Sequence, residues 1–532
     1  MADPSSTAIS TSTATAGRRI VHNSFSMLVA RAVMAGAGLV SLPVVYQRLG
    51  SREFGVWVLL CSLMGVLSLV DLGLGSALVR EVAEAVGGAQ HTRLPALLAL
   101  GLAWAVFVGL LALVGSVVCW PSLVGLLHLG EMAGETWQAT LWLALGLLFS
   151  GIEMPWRSIL EGTQRYTEIA WITGIAAVLG AGLAILIMRL GGGLAALAGT
   201  AAATSAIRTV SMAVTARRCH PLLAPSIRAI RRSDLRFVRG YGLRVQVSSA
   251  ASAVNTELDR LVLGSFFGPV TTGSFDVGSR LLNLLRLPPG VVLIALFPVA
   301  VAGATRNGPD WLDRFYLITT KYVAFFVASG AAALVVCADP LVRLWLGHEV
   351  ALAAASIAIL APSYALNLAA GAATIVTRAE GRPGRETRYV LMSVVLNVAL
   401  TIPLLQLLGP VGVPLSTALA VMLSTGYFLA HFHRVTRRPI EPLLRAMVPP
   451  IAAAVIAGAI GCLMAPHLPD GPGRMAAGLA VLCRSWLTLL VAAALLVAIG
   501  FVDARDWRRL LALLRNRKQY VATTTQTKSG VR

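Results

Sequence analysis

The stretch LPALLALGLAWAVFVGLLALVGSVV, residues 94–118, decides the fold class, because it holds 25 consecutive residues without a charged side chain. A helix needs about 20 apolar residues to cross the hydrocarbon core of a bilayer. Stretches of this kind recur from about Ala30 to Phe501, and about fourteen can be counted. Because lipid offers the backbone no hydrogen-bond partner, each stretch is expected to be a helix. The sequence therefore predicts an all-α polytopic membrane protein with about 14 transmembrane helices.

Composition excludes most classes of soluble protein. The chain has 532 residues, of which 57% are hydrophobic and 13% are charged. The net charge is +20, and most charged residues lie between the apolar stretches. No connection is long enough to form a soluble domain with a groove for nucleic acid, so nucleic acid is not expected as a partner. The six cysteines form no CxxC pair and the eight histidines form no ligand cluster. The sequence therefore predicts no metal site and no cofactor.

The loops between the apolar stretches predict the orientation of the chain. The spans cover residues 22–47, 54–79, 94–118, 138–160, 169–189, 192–214, 240–265, 270–300, 316–338, 352–377, 389–408, 411–432, 446–466 and 475–501. Loops after even-numbered spans, with the adjoining span ends, contain 22 Lys and Arg residues, whereas those after odd-numbered spans contain 5. The positive-inside rule therefore places the even-numbered loops and both termini in the cytoplasm.

An internal repeat predicts two lobes. Glu161-Gly162 returns as Glu380-Gly381 and Leu190-Gly191 as Leu408-Gly409, at offsets of 219 and 218 residues. Repeated halves are typical of transporters, whose lobes move against each other around a central site; the alternative is chance similarity between apolar segments. The predicted organisation is a disordered cytoplasmic tail (1–20), an N-terminal six-helix lobe (21–214), a basic cytoplasmic linker (215–239), a C-terminal six-helix lobe (240–432), an appended helix pair (433–501) and a basic cytoplasmic tail (502–532).

Short motifs occur in a fixed order over roughly residues 20–435. They are RLG at 48–50, EFGVW at 53–57, DLGLG at 71–75, LEG at 160–162, LDRLVLG at 258–264 and EG at 380–381. In this order they resemble the polysaccharide-transporter branch of the MOP flippase superfamily, the Wzx-type exporters of lipid-linked oligosaccharides. The resemblance implies two six-helix lobes in a V around a central cavity, in the bacterial inner membrane. It also implies flipping of an undecaprenyl-diphosphate-linked oligosaccharide to the outer leaflet for surface polysaccharide, lipopolysaccharide or exopolysaccharide biosynthesis.

Other functions remain as alternatives. Fourteen spans are typical of lipid II flippases of MurJ type, but residues 23–26 lack the Ser-Arg-x-x-Gly opening expected there. A MATE-like ion-coupled small-molecule exporter would be expected to concentrate carboxylates for cationic drugs, whereas this chain concentrates arginine. A membrane enzyme is disfavoured because the external loops are short, and a primary active transporter because no GxxxxGK[ST] loop exists. The expected partners are the lipid-linked oligosaccharide and the bilayer, with a polysaccharide polymerase and a chain-length regulator as further ones.

Polar residues inside the spans are the candidates for the transport site. An ionisable side chain at that depth costs about 2.5–3.5 kcal/mol, so it needs a partner or a wet cavity. Three spans carry polar or small residues on one helical face, because the spacing is three or four residues. The faces are Arg244, Ser248, Ser252, Asn255 and Asp259 in span seven; Asp276, Arg280 and Asn283 in span eight; and, interrupted by Leu28, Arg31, Ala35 and Gly38 in span one.

The chemistry of these residues suits a diphosphate, because guanidinium groups donate bidentately to phosphate oxygens and stay charged. The predicted substrate-binding residues are Arg31, Arg244, Arg280, Arg260, Asn255 and Asn283. The alternative for the arginines is a structural salt bridge, Arg260 with Glu257 or Asp259 and Arg280 with Asp276, or snorkelling to an interface. The candidates for a coupling proton or sodium ion, or for a gate, are Asp71, Glu153 (with Arg157 as a gate partner), Asp259 and Asp276.

Overall fold

The computed structural model describes residues 4–68, 74–88, 93–127, 129–221, 223–226, 228, 257–382 and 384–501. This part of the chain is helical apart from short connections, and it contains no β-strand. Ten of its helical stretches are long and apolar enough to cross a membrane. Two of them, Phe25–Leu67 with 43 residues and Gly384–Thr436 with 53, are long enough for two crossings each. The predicted all-α polytopic membrane fold is confirmed.

The first half of the described chain begins with two membrane helices joined at Gly50. Its helices are α1 (Pro4–Leu67), α2 (Leu74–Gly87), α3 (Leu94–Val118), α4 (Trp120–Leu126), α5 (Ala133–Gly162), α6 (Tyr166–Arg189) and α7 (Leu194–Cys219). Within α1, Gly50 has φ 78° and ψ 171°, so the helix is broken there. A positive φ is readily adopted by glycine, which explains the break between the first two predicted spans. The second crossing ends at Leu67, earlier than predicted, and α2 is a separate helix.

The second half follows the predicted order of spans. After the helical segment 257–267 come α8 (Pro269–Asn307), α9 (Pro309–Val336), α10 (Ala338–Leu346), α11 (Ala351–Ala369), α12 (Gly371–Ala379), α13 (Gly384–Leu408), α14 (Gly412–Thr436), α15 (Glu441–Met464) and α16 (Arg474–Ala498). Helices α8 and α9 both begin with proline. The N–H of the first helical residue has no partner within the helix, so proline, which lacks this N–H, loses no hydrogen bond there. Gly308, with φ 77°, separates these two helices.

The helices pack as two groups with a pair added. In the first group α5 lies against α3 and α7, and α1 lies against α6. In the second, α11 packs against α8, α9 and α14, around a core that contains Tyr316 and Phe428. The added helices α15 and α16 both pack against α9. We call the two groups the first lobe and the second lobe, and we call the added helices the appended pair. The boundaries predicted at 215–239 and at 240 fall largely on residues outside the description, and they stay predictions.

The two lobes touch at one end of the bundle, which we call the Gly50 end. A Cβ atom added to Gly55 would lie 1.9 Å from the carbonyl oxygen of Pro269, and one added to Gly273 would lie 3.1 Å from the Cα of Gly55. The backbones of α1 and α8 are therefore in direct contact. Apolar residues of both helices, such as Leu59 and Leu281, share one buried cluster. The bundle is closed at this end. The opposite end, which contains Glu161 and Glu380, is called the Glu161 end.

Helix α10 adds a second contact between the lobes at the Gly50 end. The indole Nε1 of Trp345 donates a hydrogen bond to the carbonyl oxygen of Leu39 at 2.9 Å. The amide Nε2 of Gln47 donates to the carbonyl oxygen of Leu346, also at 2.9 Å. Both acceptors are backbone carbonyls at helix positions that face the other lobe. A short helix of the second lobe is thereby fixed to the first transmembrane helix of the first lobe.

The same helix α10 is held by the appended pair. Arg343 Nη2 lies 2.7 Å from Asp470 Oδ1, and Arg484 Nη2 lies 2.6 Å from Asp470 Oδ2. Partial burial of Asp470 acts to raise the pKa of its carboxyl. The hydrogen bond from Arg343 and the charges of Arg343 and Arg484 outweigh this effect and bring the pKa below its usual value. The connection between α15 and α16 is therefore tied to α10 by an ionised carboxylate.

We expect Gly55→Ala to open the Gly50 end. A methyl group at this position overlaps the backbone of Pro269, and overpacking of this kind costs about 1–3 kcal/mol. The distance between spin labels at Arg52→Cys and Val270→Cys, in a background without other cysteines, measures the opening. It should lengthen in Gly55→Ala. Gly182→Ala is the matched control, because a Cβ there would meet nothing within 4 Å. An unchanged distance in Gly55→Ala would show that the lobes do not depend on this contact.

Candidate functional site

A small cavity lies where α1 of the first lobe faces α8 of the second, and we call it the central crevice. Its volume is about 170 Å³, and it is lined by Met34, Ala35, Gly38, Leu39, Arg280, Asn283, Leu284, Leu287 and Trp345. On α1 and α8 the lining residues recur mainly at spacings of three and four, so each helix presents one face to the crevice. The small residues of predicted span one, Ala35 and Gly38, therefore lie opposite Arg280 and Asn283 of span eight.

A larger cavity lies towards the Glu161 end, and we call it the vestibule. Its volume is about 480 Å³, and it is lined by Asn23, Met27, Leu28, Arg31, Val79, Ala83, Glu161, Gly162, Gln164, Tyr166 and Ile294. Both lobes contribute, since Ile294 belongs to α8. Arg31 lies one helical turn from Ala35, so the vestibule and the central crevice are adjacent along α1. Leu28 lines the vestibule with Arg31, as the interrupted stripe of span one predicts.

Arg31 is the exposed cation of the vestibule. Its side chain is exposed, and no ion pair among the described residues involves it. The carboxylate that lines the same cavity, Glu161, is already paired with Arg157, whose Nε lies 2.8 Å from Glu161 Oε1. A guanidinium presented to a cavity in this way has its donors available for an anionic ligand.

A charge cluster around Asp276 supports the central crevice. The buried carboxylate of Asp276 has Arg260 Nε at 2.9 Å from Oδ1 and Arg280 Nε at 2.5 Å from Oδ2. Arg260 Nη1 also lies 2.8 Å from Glu257 Oε2. Two carboxylates thus face two guanidinium groups. The bridges expected between Asp276 and Arg280 and between Arg260 and Glu257 are present, whereas Arg260 also pairs with Asp276 and not with Asp259.

The two arginines of this cluster differ in exposure. The side chain of Arg280 is 39% exposed and lines the central crevice, whereas that of Arg260 is 17% exposed. Arg280 uses its Nε for Asp276, which leaves the N–H groups of its two terminal nitrogens for another partner. Asn283, one turn further along α8, is exposed in the same crevice. Arg280 and Asn283 are therefore placed to bind a ligand, and Arg260 is placed to hold Asp276.

Asp259 lies in a different environment, although it is adjacent to Arg260 in sequence. The carboxylate is buried and accepts hydrogen bonds from Thr417 Oγ1 at 2.6 Å and from Asn397 Nδ2 at 3.2 Å. Ser416 Oγ donates to Asn397 Oδ1 at 3.2 Å, and Thr401 Oγ1 lies 3.0 Å from Ser416 Oγ. No Arg or Lys among the described residues forms an ion pair with Asp259. A buried carboxylate surrounded only by neutral oxygen and amide groups either binds a cation or takes up a proton.

The hydrogen-bond partners of Asp259 were not predicted from the sequence. Asn397, Thr401, Ser416 and Thr417 lie in α13 and α14, far from Asp259 along the chain. Serine and threonine commonly bond to their own helix backbone, so their presence in an apolar span does not indicate a site. The signal that could have found them is Asn397, which is a rare strongly polar side chain within span eleven and lies one turn from Thr401.

Glu153 is paired within the first lobe, but not as expected. Its carboxylate forms a salt bridge with the Nε of Arg208 on α7, and Arg208 Nη2 also lies 3.3 Å from Ser150 Oγ. The interpretation of Glu153 and Arg157 as a gate pair is wrong, because Arg157 bonds to Glu161 on the next turn of α5. Close packing of α5 against α7 brings Arg208 to Glu153. The signal that was missed is Arg208 itself, an arginine within helix α7.

Three of the predicted site residues lie outside the described residues. These are Arg244 and Asn255 of span seven and Asp71 at the end of span two. The stripe predicted on span seven is described only at Asp259. The remaining predicted residues are placed as stated above: Arg31 in the vestibule, Arg280 and Asn283 in the central crevice, and Arg260, Glu153, Asp259 and Asp276 in buried or partly buried networks.

Solved structures of membrane transporters share this fold. One is the lipid II flippase MurJ in an inward closed conformation, with a TM-score of 0.70 and 15% sequence identity, covering 91% of this chain and 99% of that chain. Another is an inward-facing multidrug resistance MATE family transporter of the MOP superfamily, with a TM-score of 0.63 and 16% identity, covering 77% of this chain and 99% of that one. At these identities the similarity shows the fold alone.

Sequence comparison gives the family. The chain is 21% identical over 417 residues to a Haloferax volcanii protein named probable low-salt glycan biosynthesis flippase Agl15, and the match covers 78% of this chain and 84% of the relative. A family model described as polysaccharide biosynthesis protein matches residues 20–302, which is more than half of the chain. This region contains the motifs at 48–50, 53–57, 160–162 and 258–264. The resemblance drawn from those motifs is confirmed at the level of the family, and the chain belongs to the polysaccharide biosynthesis protein family.

Proposed function

We propose that this protein moves an undecaprenyl-diphosphate-linked oligosaccharide from the inner to the outer leaflet of the bacterial inner membrane by alternating access. The observation that carries the proposal is the presentation of two guanidinium groups, Arg31 and Arg280, in adjacent cavities between the lobes. Family membership supports a role in polysaccharide biosynthesis, and the name of the Haloferax volcanii relative supports a glycan cargo. A transporter needs no catalytic residue, and a polymerase and a chain-length regulator would act on the glycan after export.

The conformation fits loading from the cytoplasmic side. The lobes are in backbone contact at the Gly50 end, and the larger cavity lies towards the Glu161 end. The distribution of Lys and Arg assigns the Glu161 end, and with it both termini, to the cytoplasm. A lipid-linked substrate would enter the vestibule from the inner leaflet. Release would require the lobes to separate at the Gly50 end, as alternating access demands.

The roles of the polar residues follow from their exposure. Arg31 and Arg280 would bind the diphosphate, since both reach a cavity and a guanidinium matches phosphate geometry. Asn283 would add a neutral hydrogen-bonding group beside Arg280. Arg260 would position Asp276 and Arg280, because its own donors face Glu257 and Asp276. Arg244 and Asn255 are proposed as substrate ligands on their sequence spacing alone.

Asp259 is the proposed coupling group. Of the four candidate carboxylates, Glu153 and Asp276 are neutralised by arginines, whereas the hydrogen-bond partners of Asp259 among the described residues are neutral. A cation or a proton would remove its uncompensated charge and would tighten the contact of segment 257–267 with α13 and α14. Asp71 stays a candidate on sequence alone.

Transport of lipid II is the second candidate function. The overall fold of the lipid II flippase MurJ matches this chain over 91% of its length, and a diphosphate is common to both cargoes. A MATE-like exporter of small cations is less well supported, because the crevice presents the guanidinium group of Arg280, and the carboxylate paired with it, Asp276, is buried.

We expect Arg31→Ala and Arg280→Ala each to abolish glycan export while protein levels stay normal, because each removes a diphosphate ligand from a cavity. Surface polysaccharide in the producing bacterium, with the chromosomal gene deleted, is the measurement. Arg445→Ala is the control, since this side chain is 79% exposed and pairs with Glu441 outside the crevice. Full export by both cavity variants would remove them as substrate ligands. Rescue of cells depleted of their lipid II flippase would favour the second candidate.

We expect Asp276→Ala to destabilise the protein more than Arg280→Ala does. Removal of Asp276 leaves Arg260 and Arg280 without their shared carboxylate, and breaking a buried ion pair in this way costs about 3–5 kcal/mol. Removal of Arg280 leaves Asp276 still paired with Arg260. Thermal unfolding of the detergent-purified variants measures the difference. Equal melting temperatures for wild type and Asp276→Ala would contradict a structural role for this carboxylate.

We expect Asp259→Asn to uncouple transport from its driving ion. Asparagine keeps the size of the side chain but removes the charge that a cation or proton would neutralise. In wild type, added Na⁺ or a lower pH should raise the melting temperature through ligand linkage. In Asp259→Asn that response should disappear, and Thr417→Val should weaken it. An equal response to both Na⁺ and pH in Asp259→Asn and wild type would exclude Asp259 as the coupling group.

A further inference from the structure

Trp345 occupies the end of the central crevice that is closed to the outside of the bundle. It belongs to α10 at the Gly50 end and lines the same 170 Å³ cavity as Arg280 and Asn283. Part of its surface packs against the buried cluster that joins the two lobes. The indole is the single aromatic ring among the described lining residues of this cavity. A group that enters the crevice from the vestibule therefore passes Arg280 and Asn283 and meets this ring.

The ring is held in a fixed orientation. Its Nε1–H donates to the carbonyl oxygen of Leu39 at 2.9 Å, so its polar atom is already satisfied. What remains for a ligand is the apolar π surface. On the side of α1, Ala35 and Gly38 keep side-chain bulk out of the crevice, and a Cβ added to Gly38 would meet nothing within 4 Å. The arrangement leaves room beside a rigid aromatic surface.

These three side chains provide complementary interactions for one ligand class. An aromatic face carries negative charge density and attracts the slightly positive C–H groups on one face of a sugar ring. An asparagine amide both donates to and accepts from hydroxyl groups. A guanidinium binds phosphate. The cavity has the volume of about six water molecules, taking roughly 30 Å³ for each, which is enough for one ring and too little for a glycan chain.

We propose that Trp345 stacks on the sugar attached directly to the diphosphate, with Asn283 at its hydroxyl groups and Arg280 on the adjoining phosphate. This inference rests on the proposed function, because it assigns a subsite within the same crevice. It makes Trp345 a specificity-determining residue for the first sugar. The same ring bonds to α1, so the sugar lies against a contact that must break when the Gly50 end opens.

Binding of two soluble probes to the purified full-length protein tests the proposal. One probe is farnesyl diphosphate, and the other is farnesyl diphosphate that carries a single N-acetylglucosamine. Wild type should bind the sugar-bearing probe about threefold to tenfold more tightly, as expected for one aromatic contact. Trp345→Leu should lose this difference and keep the affinity for the bare probe, and Trp345→Phe should retain part of the difference.

Two control variants distinguish stacking of the Trp345 ring on the sugar from packing of the ring between the lobes. Gln47→Ala removes the parallel bond between the lobes without altering the ring, so the sugar preference should persist. Trp486→Leu changes a tryptophan that is 62% exposed on α16, and neither affinity should change. Equal weakening of both probes by Trp345→Leu, or an unchanged sugar preference in that variant, would overturn the inference. If wild type binds the bare probe without sugar preference, the inference alone fails; if it binds neither probe, the proposed function fails with it.

Discussion

The structure depends on the inability of the bilayer to solvate charge. Each ionisable group at membrane depth needs a partner of opposite sign, a cluster of neutral dipoles or a cavity that admits water. The charged side chains of the described residues follow this rule. Glu153 pairs with Arg208, Asp276 pairs with Arg260 and Arg280, and Arg286 lies over the ring of Tyr364 at 4.8 Å. Arg31 and the terminal nitrogens of Arg280 face a cavity instead. These are the guanidinium groups that the proposed function assigns to the diphosphate.

Two carboxylates on neighbouring helical segments show that sequence proximity does not fix chemical role. Asp259 and Asp276 are both buried in the second lobe, and Arg260 follows Asp259 directly in the chain. Successive residues on a helix point about 100° apart, so Arg260 reaches Asp276 while Asp259 points towards α13 and α14. Asp276 becomes part of a cluster of ion pairs in which positive and negative charges balance. Asp259 is instead hydrogen-bonded by the neutral amide of Asn397 and the neutral hydroxyl of Thr417.

Much of the fold was predictable because apolar run length and the Lys and Arg distribution act locally along the chain. The order of the spans and the break near Gly50 followed from the lengths of the apolar runs, and helical spacing placed Arg280 and Asn283 on one face of span eight. The contact of that face with span one was not predicted. Partners such as Arg208 for Glu153, and Asn397 with Thr417 for Asp259, did not. The residues of each pair are more than 50 positions apart in the chain, and helix packing decides which of them meet. The role of α10 was also missed, since a nine-residue helix carries no membrane-span signal.

The closure at the Gly50 end has a consequence for how the transporter responds to its surroundings. Within the described part of the chain, the lobes are joined there by glycine contacts, apolar packing and two hydrogen bonds to backbone carbonyls, with no ion pair between them. A neutral hydrogen bond contributes about 0.5–1.5 kcal/mol net, so these two bonds add little to the apolar packing between the lobes. Neutral contacts are also insensitive to ionic strength, because there is no charge pair for counterions to screen. Separation of the lobes at the Gly50 end is therefore expected to depend little on salt concentration.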